Sequence, residues 1–386
     1  MDRVRILTEK SRLPLLLAML LAVASLPACA QWEIEQSHTK ADLRGIHAVG
    51  NGVAWASGTN GTVLRTEDGG YLWQLCALLP GAETLDFRGV WAWDSETAIV
   101  MSSGHGDQSR LYKTTDGCAT WQALYSNPDP KGFWDAITFT DKKHGIILGD
   151  PVDGRFVILR TEDGGLHWRK VDDPALGADP LGEGAFAASN SSYVAIPSSG
   201  KFTMDTPLGA ALEFFGTSGP GGPRVFYLAM RDKQAVAPGS KTVRAKAAEA
   251  KMSLKWMNVA VPLAKTAPSM GIFALAFSDA YTGIAVGGDY LQPNDSSGTA
   301  AFTVDNGQTW MKAMRPPHGY RSSVAWSAAD KAWVTVGTNG GDVSRDDGKT
   351  WQQTPISADG GPWNALSLPW VVGPKGRIAK LISLNK

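Results

Sequence analysis

The chain has 386 residues, and its 37 Lys plus Arg balance 37 Asp plus Glu, so no net field selects nucleic acid or an anionic membrane. Charged residues make up only 19 %, while 43 glycines and 15 tryptophans supply many turns and many large planar side chains. That balance argues against a helical protein and for an all-β repeat fold.

Residues 1–30 read as a leader to be set aside before any fold reasoning. Arg3, Arg5, Lys10 and Arg12 make a basic start, Leu13 to Leu26 an apolar run, and Pro27-Ala28-Cys29-Ala30 a small-residue end. Two cleavages fit. Ala28-Cys29-Ala30 would release Gln31, whereas Leu26-Pro27-Ala28-Cys29 resembles a lipobox that would leave a lipidated Cys29. Export is expected by either route, as a periplasmic or outer-membrane-anchored lipoprotein or as a secreted protein. Cys76 and Cys118 remain. Export permits a disulfide between them, but the expectation is two free buried cysteines.

From residue 31 onward one pattern organises the chain. Thr/Ser-x-Asp-x-Gly-x-x-Trp occurs at Thr66 to Trp73, Thr161 to Trp168, Thr303 to Trp310 and Ser344 to Trp351. A fifth copy, Thr114 to Trp121, has Cys118 in place of the glycine. This is the Asp-box, or BNR repeat. Its aspartates (Asp68, Asp116, Asp163, Asp305 and Asp346) are suited to accept backbone N–H groups of the following turn, and its tryptophan to fold back over the hairpin. The five aspartates are therefore expected to be structural, each joining the third and fourth strands of a blade, with no catalytic or metal role.

Box tryptophans recur every 41 to 54 residues, the length of a propeller blade, except for an 88-residue gap between Trp168 and Trp256. Strand-like runs at Ala185–Pro197, Leu212–Thr217 and Arg224–Arg231 fill that gap, followed by a Lys/Ala-rich insertion at about 232–255 that ends near Trp256. Its cations are expected to be solvated. Trp32-Glu33-Ile34 leading to Leu43-Arg44-Gly45 parallels Trp73-Gln74-Leu75 leading to Phe87-Arg88-Gly89. Trp32 thus begins a fourth strand whose first three must come from the C-terminus, at Trp363–Leu368, Trp370–Gly373 and Arg377–Ile382. The predicted fold is a single all-β, seven-bladed propeller of four-stranded antiparallel blades over residues 31–386. The blades begin at Leu43, Leu85, Phe133, Gly184, Gly271, Tyr320 and Trp363, and the N-terminal strand closes the last one.

Recognition in such a ring is expected on one face. The loops leading into the innermost strands carry Arg44, Arg88, Trp134, Asp135, Arg321, Trp363 and Asn364. Those joining second and third strands carry Thr59–Gly61, His105–Asp107, Asp150-Pro151-Val152-Asp153-Gly154-Arg155, Asp289-Tyr290, Thr338–Gly340 and Lys375–Arg377. Asp150–Arg155 and Asp289–Tyr290 stand out because they break the Gly-Thr-Asn-Gly loop of the first and sixth blades.

Box spacing, seven inferred blades, a leader and ends meeting in one blade resemble the photosystem II assembly/stability factor family of lumenal propellers. The similarity covers residues 31–386 and extends to exported relatives in non-photosynthetic bacteria, often labelled BNR-repeat proteins or oxidoreductases. The resemblance implies a non-catalytic scaffold, a monomer that binds another protein or a membrane complex through a basic patch. Carried over by loop position, that patch is Arg44, Arg88, Arg155, Arg224, Arg321 and Arg377. The competing class is a glycoside hydrolase of the sialidase or xyloglucanase-like type, which needs two carboxyl groups across a sugar. Asp135, Asp150 and Asp289, with Asp153 nearby in sequence, are its candidates. The sialidase Arg-Ile-Pro element is missing, since Ala195-Ile196-Pro197 lacks the arginine. No cofactor or metal is expected: there is no nucleotide-binding glycine loop, no Cys-x-x-Cys, and the histidines at 38, 47, 105, 144, 167 and 318 are scattered.

Overall fold

The computed structural model describes residues 31–77, 81–196, 211–232, 252–354 and 361–384. The leader with Cys29, and residues 233–251 of the expected insertion, lie outside them. Seven four-stranded antiparallel sheets form the blades, and among the described residues there is no α-helix. The innermost strands are Leu43–Gly50, Phe87–Ala92, Trp134–Phe139, Tyr193–Ala195, Met270–Phe277, Ser323–Ser327 and Ala365–Ser367. Seven apolar clusters match the seven blade interfaces, so each core is shared between neighbours instead of lying within one sheet. A blade cannot bury both of its faces alone, which is why the ring must close.

Closure is made by Gln31–Glu35, which lies antiparallel to Ile378–Ser383 as the outer strand of the seventh blade. Trp32 stands opposite Leu381, Ile34 opposite Ala379 and Glu35 opposite Ile378. Pairing the two ends removes an open sheet edge from each.

The five eight-residue turns share one hydrogen-bond plan. In the first, the Thr66 hydroxyl donates to Asp68 Oδ1 (2.9 Å) and accepts from the Gly70 N–H (3.0 Å), while Asp68 Oδ1 accepts from Leu72 N–H (3.1 Å). Trp168, Trp310 and Trp351 each donate their indole N–H to the glycine carbonyl of their own turn, at 3.0–3.1 Å. Donors from Thr120 hold the Asp116 carboxyl at about 2, below the usual range. The residue at the fifth position needs a left-handed backbone: φ is +98° at Gly70, and +67° at Cys118. Cys118 holds that conformation and is bonded to Cys76 of the preceding blade, with Cα atoms 5.3 Å apart. The expectation of two free thiols is therefore corrected. Blade stacking brings the outer strand of the first blade beside the second turn, a proximity that spacing in sequence does not show.

The fourth blade departs from two expectations. Among the described residues of the run Ala185–Pro197, which end at 196, only Tyr193–Ala195 is strand. The insertion is narrower than 232–255, because Asp232 ends one strand and Met252 begins its partner, with Trp256 opposite Leu228.

Candidate functional site

The site is built on a bulge repeated near the start of the innermost strands. In the first blade Leu43 pairs with Gly58 and Gly45 with Ser57, which leaves Arg44 as the extra residue. The same step leaves Arg88 in the second blade, Asp135 in the third and Phe273 in the fifth. A bulge re-aims its side chain out of the strand's alternation, and the ring sets these four positions around one mouth of the axis. In the first two blades the residue after the bulge is a glycine in a crowded place, whereas the third and fifth have Ala136 and Ala274 there. A Cβ at Gly45 would sit 2.8 Å from the Arg88 carbonyl, and one at Gly89 2.9 Å from Ile137 Cγ2.

In the fourth blade the bulge is much larger. Gly184 and Ser218 exchange N–H···O bonds, and Ser192 accepts from Gly216, so residues 185–191 stand opposite Thr217 alone. Those seven residues cross the axis and bond to four other blades. Ala187 accepts from Arg88 (3.3 Å), and Ser189 donates to the Ser322 carbonyl (2.6 Å). Asn190 accepts from the Ile137 N–H (2.8 Å) and donates back to its carbonyl (2.9 Å), while Ser191 accepts from Leu275 N–H (2.8 Å). The segment is a plug, and it gives the mouth a floor.

Arg44 and Arg88 share one carboxylate. Arg88 Nε donates to Asp86 Oδ2 at 2.8 Å, and Arg44 Nε lies 3.1 Å from Oδ1, in ion-pair contact but outside hydrogen-bond alignment. Both guanidinium side chains are about one-third exposed, at 32 % and 29 %. Two cations on one anion leave a positive excess at the mouth. Asp135 and Asp150 come together beside it. Asp150 accepts from Ala185 N–H at 2.9 Å, at the root of the plug. Asp135 is 1 % exposed, and its Oδ2 has no hydrogen-bond partner. Burial, then the Asp150 charge, push its carboxyl well above the ordinary range, although Arg88 opposes this. Asp150 is itself raised, mainly by burial.

Other expected site residues are placed differently. Arg321 is fully buried, donates from Nε to Asp342 (2.8 Å) and touches His318 and Asn339, so it braces the wall and offers nothing to a surface ligand. Trp134 and Trp363 are also buried, Trp134 stacked on Tyr125 and Trp363 beneath Arg377 with the cation 4.9 Å from the ring centroid. Asn364 donates to the Leu43 carbonyl (2.8 Å) and ties the seventh blade to the first. Arg224 is held by Glu183, the Gly177 carbonyl and Asn258, over the face of Phe226. Arg155 pairs with Asp172 and Asp153 with Lys131, all four on the surface. Asp289 is buried and caps the Leu291 N–H at 3.0 Å. Of the three candidate carboxylates of a hydrolase, Asp135 and Asp289 are buried and Asp150, beside Asp135, is half-buried. Among the described residues, no group of three or more His, Cys, Asp or Glu could hold a metal ion.

Sequence reasoning missed Asp86 and the plug. Asp86 was within reach, because Asp86-Phe87-Arg88-Gly89 repeats Asp42-Leu43-Arg44-Gly45. The plug carries no such signal, since Ala185–Asn190 reads as an ordinary apolar run.

Seven four-stranded blades closed into one ring define a β-propeller. The family model for photosynthesis system II assembly factor YCF48 matches residues 24–318, and the chain belongs to that family. Among solved structures it is similar to "YCF48 bound to D1 peptide", at TM-score 0.55 and 17 % identity over 91 % of this chain and 95 % of that one. It is also similar to YCF48 from Cyanidioschyzon merolae, at TM-score 0.55 and 20 % identity over 91 % and 98 %. Comparison with curated proteins finds no match.

Proposed function

We propose that this protein is a non-catalytic, exported scaffold that binds a segment of another protein across the mouth formed by Arg44, Arg88 and the plug. The observation that carries this reading is the pair of one-third-exposed arginines on a single carboxylate, a standing electrostatic demand for one more anion. Support comes from the family, that of an assembly factor, and from a similar propeller solved as "YCF48 bound to D1 peptide". Membership of a membrane complex, with Cys29 as a lipid anchor, belongs to the same proposal.

The test is photocrosslinking in the native host from a benzoylphenylalanine placed at His105, which is exposed beside the mouth. One discrete protein partner is expected, with loss of the crosslink in the Arg44→Glu/Arg88→Glu variant. Equal labelling by that variant, or the same partner captured from Tyr71 on the outer edge, would overturn the assignment of the surface. Palmitate incorporation that disappears in Cys29→Ser checks the anchor separately.

A further inference from the structure

The plug also builds an aromatic surface at the mouth. Phe186, one residue before the carbonyl that holds Arg88, stacks on the blade-five bulge residue Phe273 with centroids 3.6 Å apart and planes inclined by 16°. Tyr290 stands edge-on to both rings, at 6.3 Å and 6.1 Å, and Tyr320 packs against Phe273 from the wall at 4.7 Å. Phe273 and Tyr320 are buried, as core residues should be. Tyr290 is not: it is 47 % exposed, and Leu291 beside it is 69 % exposed. This exposed step is held rigid from below, because the Asp289 carboxylate fixes the Leu291 N–H. A single two-residue stretch of the plug, Phe186-Ala187, therefore supports an aromatic platform on one side and a guanidinium on the other.

We propose that the mouth is a two-part cup, and that its occupant is a protein segment carrying a carboxylate for Arg44 and Arg88 and an aromatic ring for Tyr290 and Phe186. This rests on the reading of the mouth as a protein-binding surface and specifies the chemistry of the partner. Charge complementarity selects the acidic half: Asp86 answers one of the two guanidinium groups, and Asp150 is engaged by the backbone of the plug. Burial and the neighbouring Asp150 charge disfavour ionisation of Asp135. Ring faces and edges exposed beside a cation suit an aromatic side chain better than an aliphatic one. Because the plug crosses the axis, the segment must come and go on the same face and cannot thread the ring.

The probe is a set of capped synthetic peptides with Asp and Phe separated by up to three glycines. They compete against an Asp-Gly-(4-fluoro-Phe) reporter followed by ¹⁹F NMR on the whole protein. In the best spacing, Phe→Ala in the peptide is expected to weaken competition by about tenfold, the equivalent of one well-made aromatic contact. Tyr290→Ala, at an exposed position that leaves the fold intact, should abolish that difference while the ring-free Asp peptide binds as before. Arg44→Gln should abolish the dependence on Asp and preserve the dependence on Phe. Acidic peptides that bind equally with or without the ring would overturn the cup while leaving the protein-binding reading standing. Failure of every peptide to bind would overturn both.

Discussion

The first two blades and the fourth solve one problem, attachment to the ring, at opposite radii. The first and second follow the repeat closely, with a single bulge residue each at the axis, and are fastened at the periphery by Cys76–Cys118. The fourth loses the repeat's turn at the periphery and spends seven residues at the axis, where they bond to the second, third, fifth and sixth blades. The axis is the one place in a propeller from which a short segment reaches most of the ring. An insertion there gains partners, whereas an insertion at the rim gains solvent. The difference also explains why the mouth is asymmetric, basic beside the first two blades and aromatic beside the fourth and fifth.

The comparison breaks most visibly at the periphery. Replacing Cys76 and Cys118 by Ala should cost about 4 kcal/mol, from loop closure over the 42-residue separation, read as a lower denaturation midpoint with a larger m, because the unfolded chain is no longer cross-linked. Pairing Cys76→Ala with Cys118→Gly should recover about 1 kcal/mol, because glycine accepts the left-handed backbone without a Cβ penalty. No recovery would mean that the turn tolerates any residue there. At the axis, Asn190→Ala strips two bonds from the Ile137 peptide groups and one from Val90, and should cost about 3 kcal/mol by the same measurement. A cost below that of an ordinary surface substitution would show that the plug is ornamental.

The first two blades are also joined by His47, which makes their contact sensitive to acid. Its Nδ1 accepts from the Ala92 N–H at 2.9 Å and its ring stacks on Trp91, and burial lowers its pKa from 6.5 to about 4. The folded value lies below the unfolded one, so the contribution is complete above pH 6.5 and is lost as pH falls from there through about 4. The full loss amounts to about 3 kcal/mol. His47→Asn keeps an acceptor and cannot charge. The stability difference between the two proteins should therefore change across that window and be flat above it. The opposite pH dependence is expected at Asp135, whose carboxyl is raised instead. Its cost is absent at low pH and grows as pH climbs from the usual carboxylate range toward its folded value. Asp135→Asn should stabilise the protein at neutral pH and lose that advantage in acid, and a variant less stable at neutral pH would show that the ionised form is needed.

The repeat was legible because it is local. Threonine, aspartate, glycine and tryptophan at fixed offsets build one hydrogen-bonded turn without help from the rest of the chain, and five copies at blade spacing account for five of the seven blades. Closure was legible for the same reason: Trp32 and Leu43-Arg44-Gly45 repeat a phrase whose first three strands are absent from their own side of the sequence. Arg44 and Arg88 were found because the bulge repeats. Trp134, Trp363 and Arg321 came from the same alignment, yet the packing of adjacent blades buries them, and a residue's neighbours across an interface leave no mark on its own segment.

By itself, then, the sequence determined the fold, the number of blades and the position of the seam, since these follow from short-range hydrogen bonding and the period of apolar burial. Only the tertiary structure decided that Cys118 meets Cys76, that Asp86 serves two arginines, and that residues 185–191 cross the axis to join a ring of aromatics to a pair of cations. Apart from Asp86 with Arg88, those contacts link residues 42 to 133 positions apart. Their free energy exists only once the ring has closed, so no local pattern in the chain has to encode them.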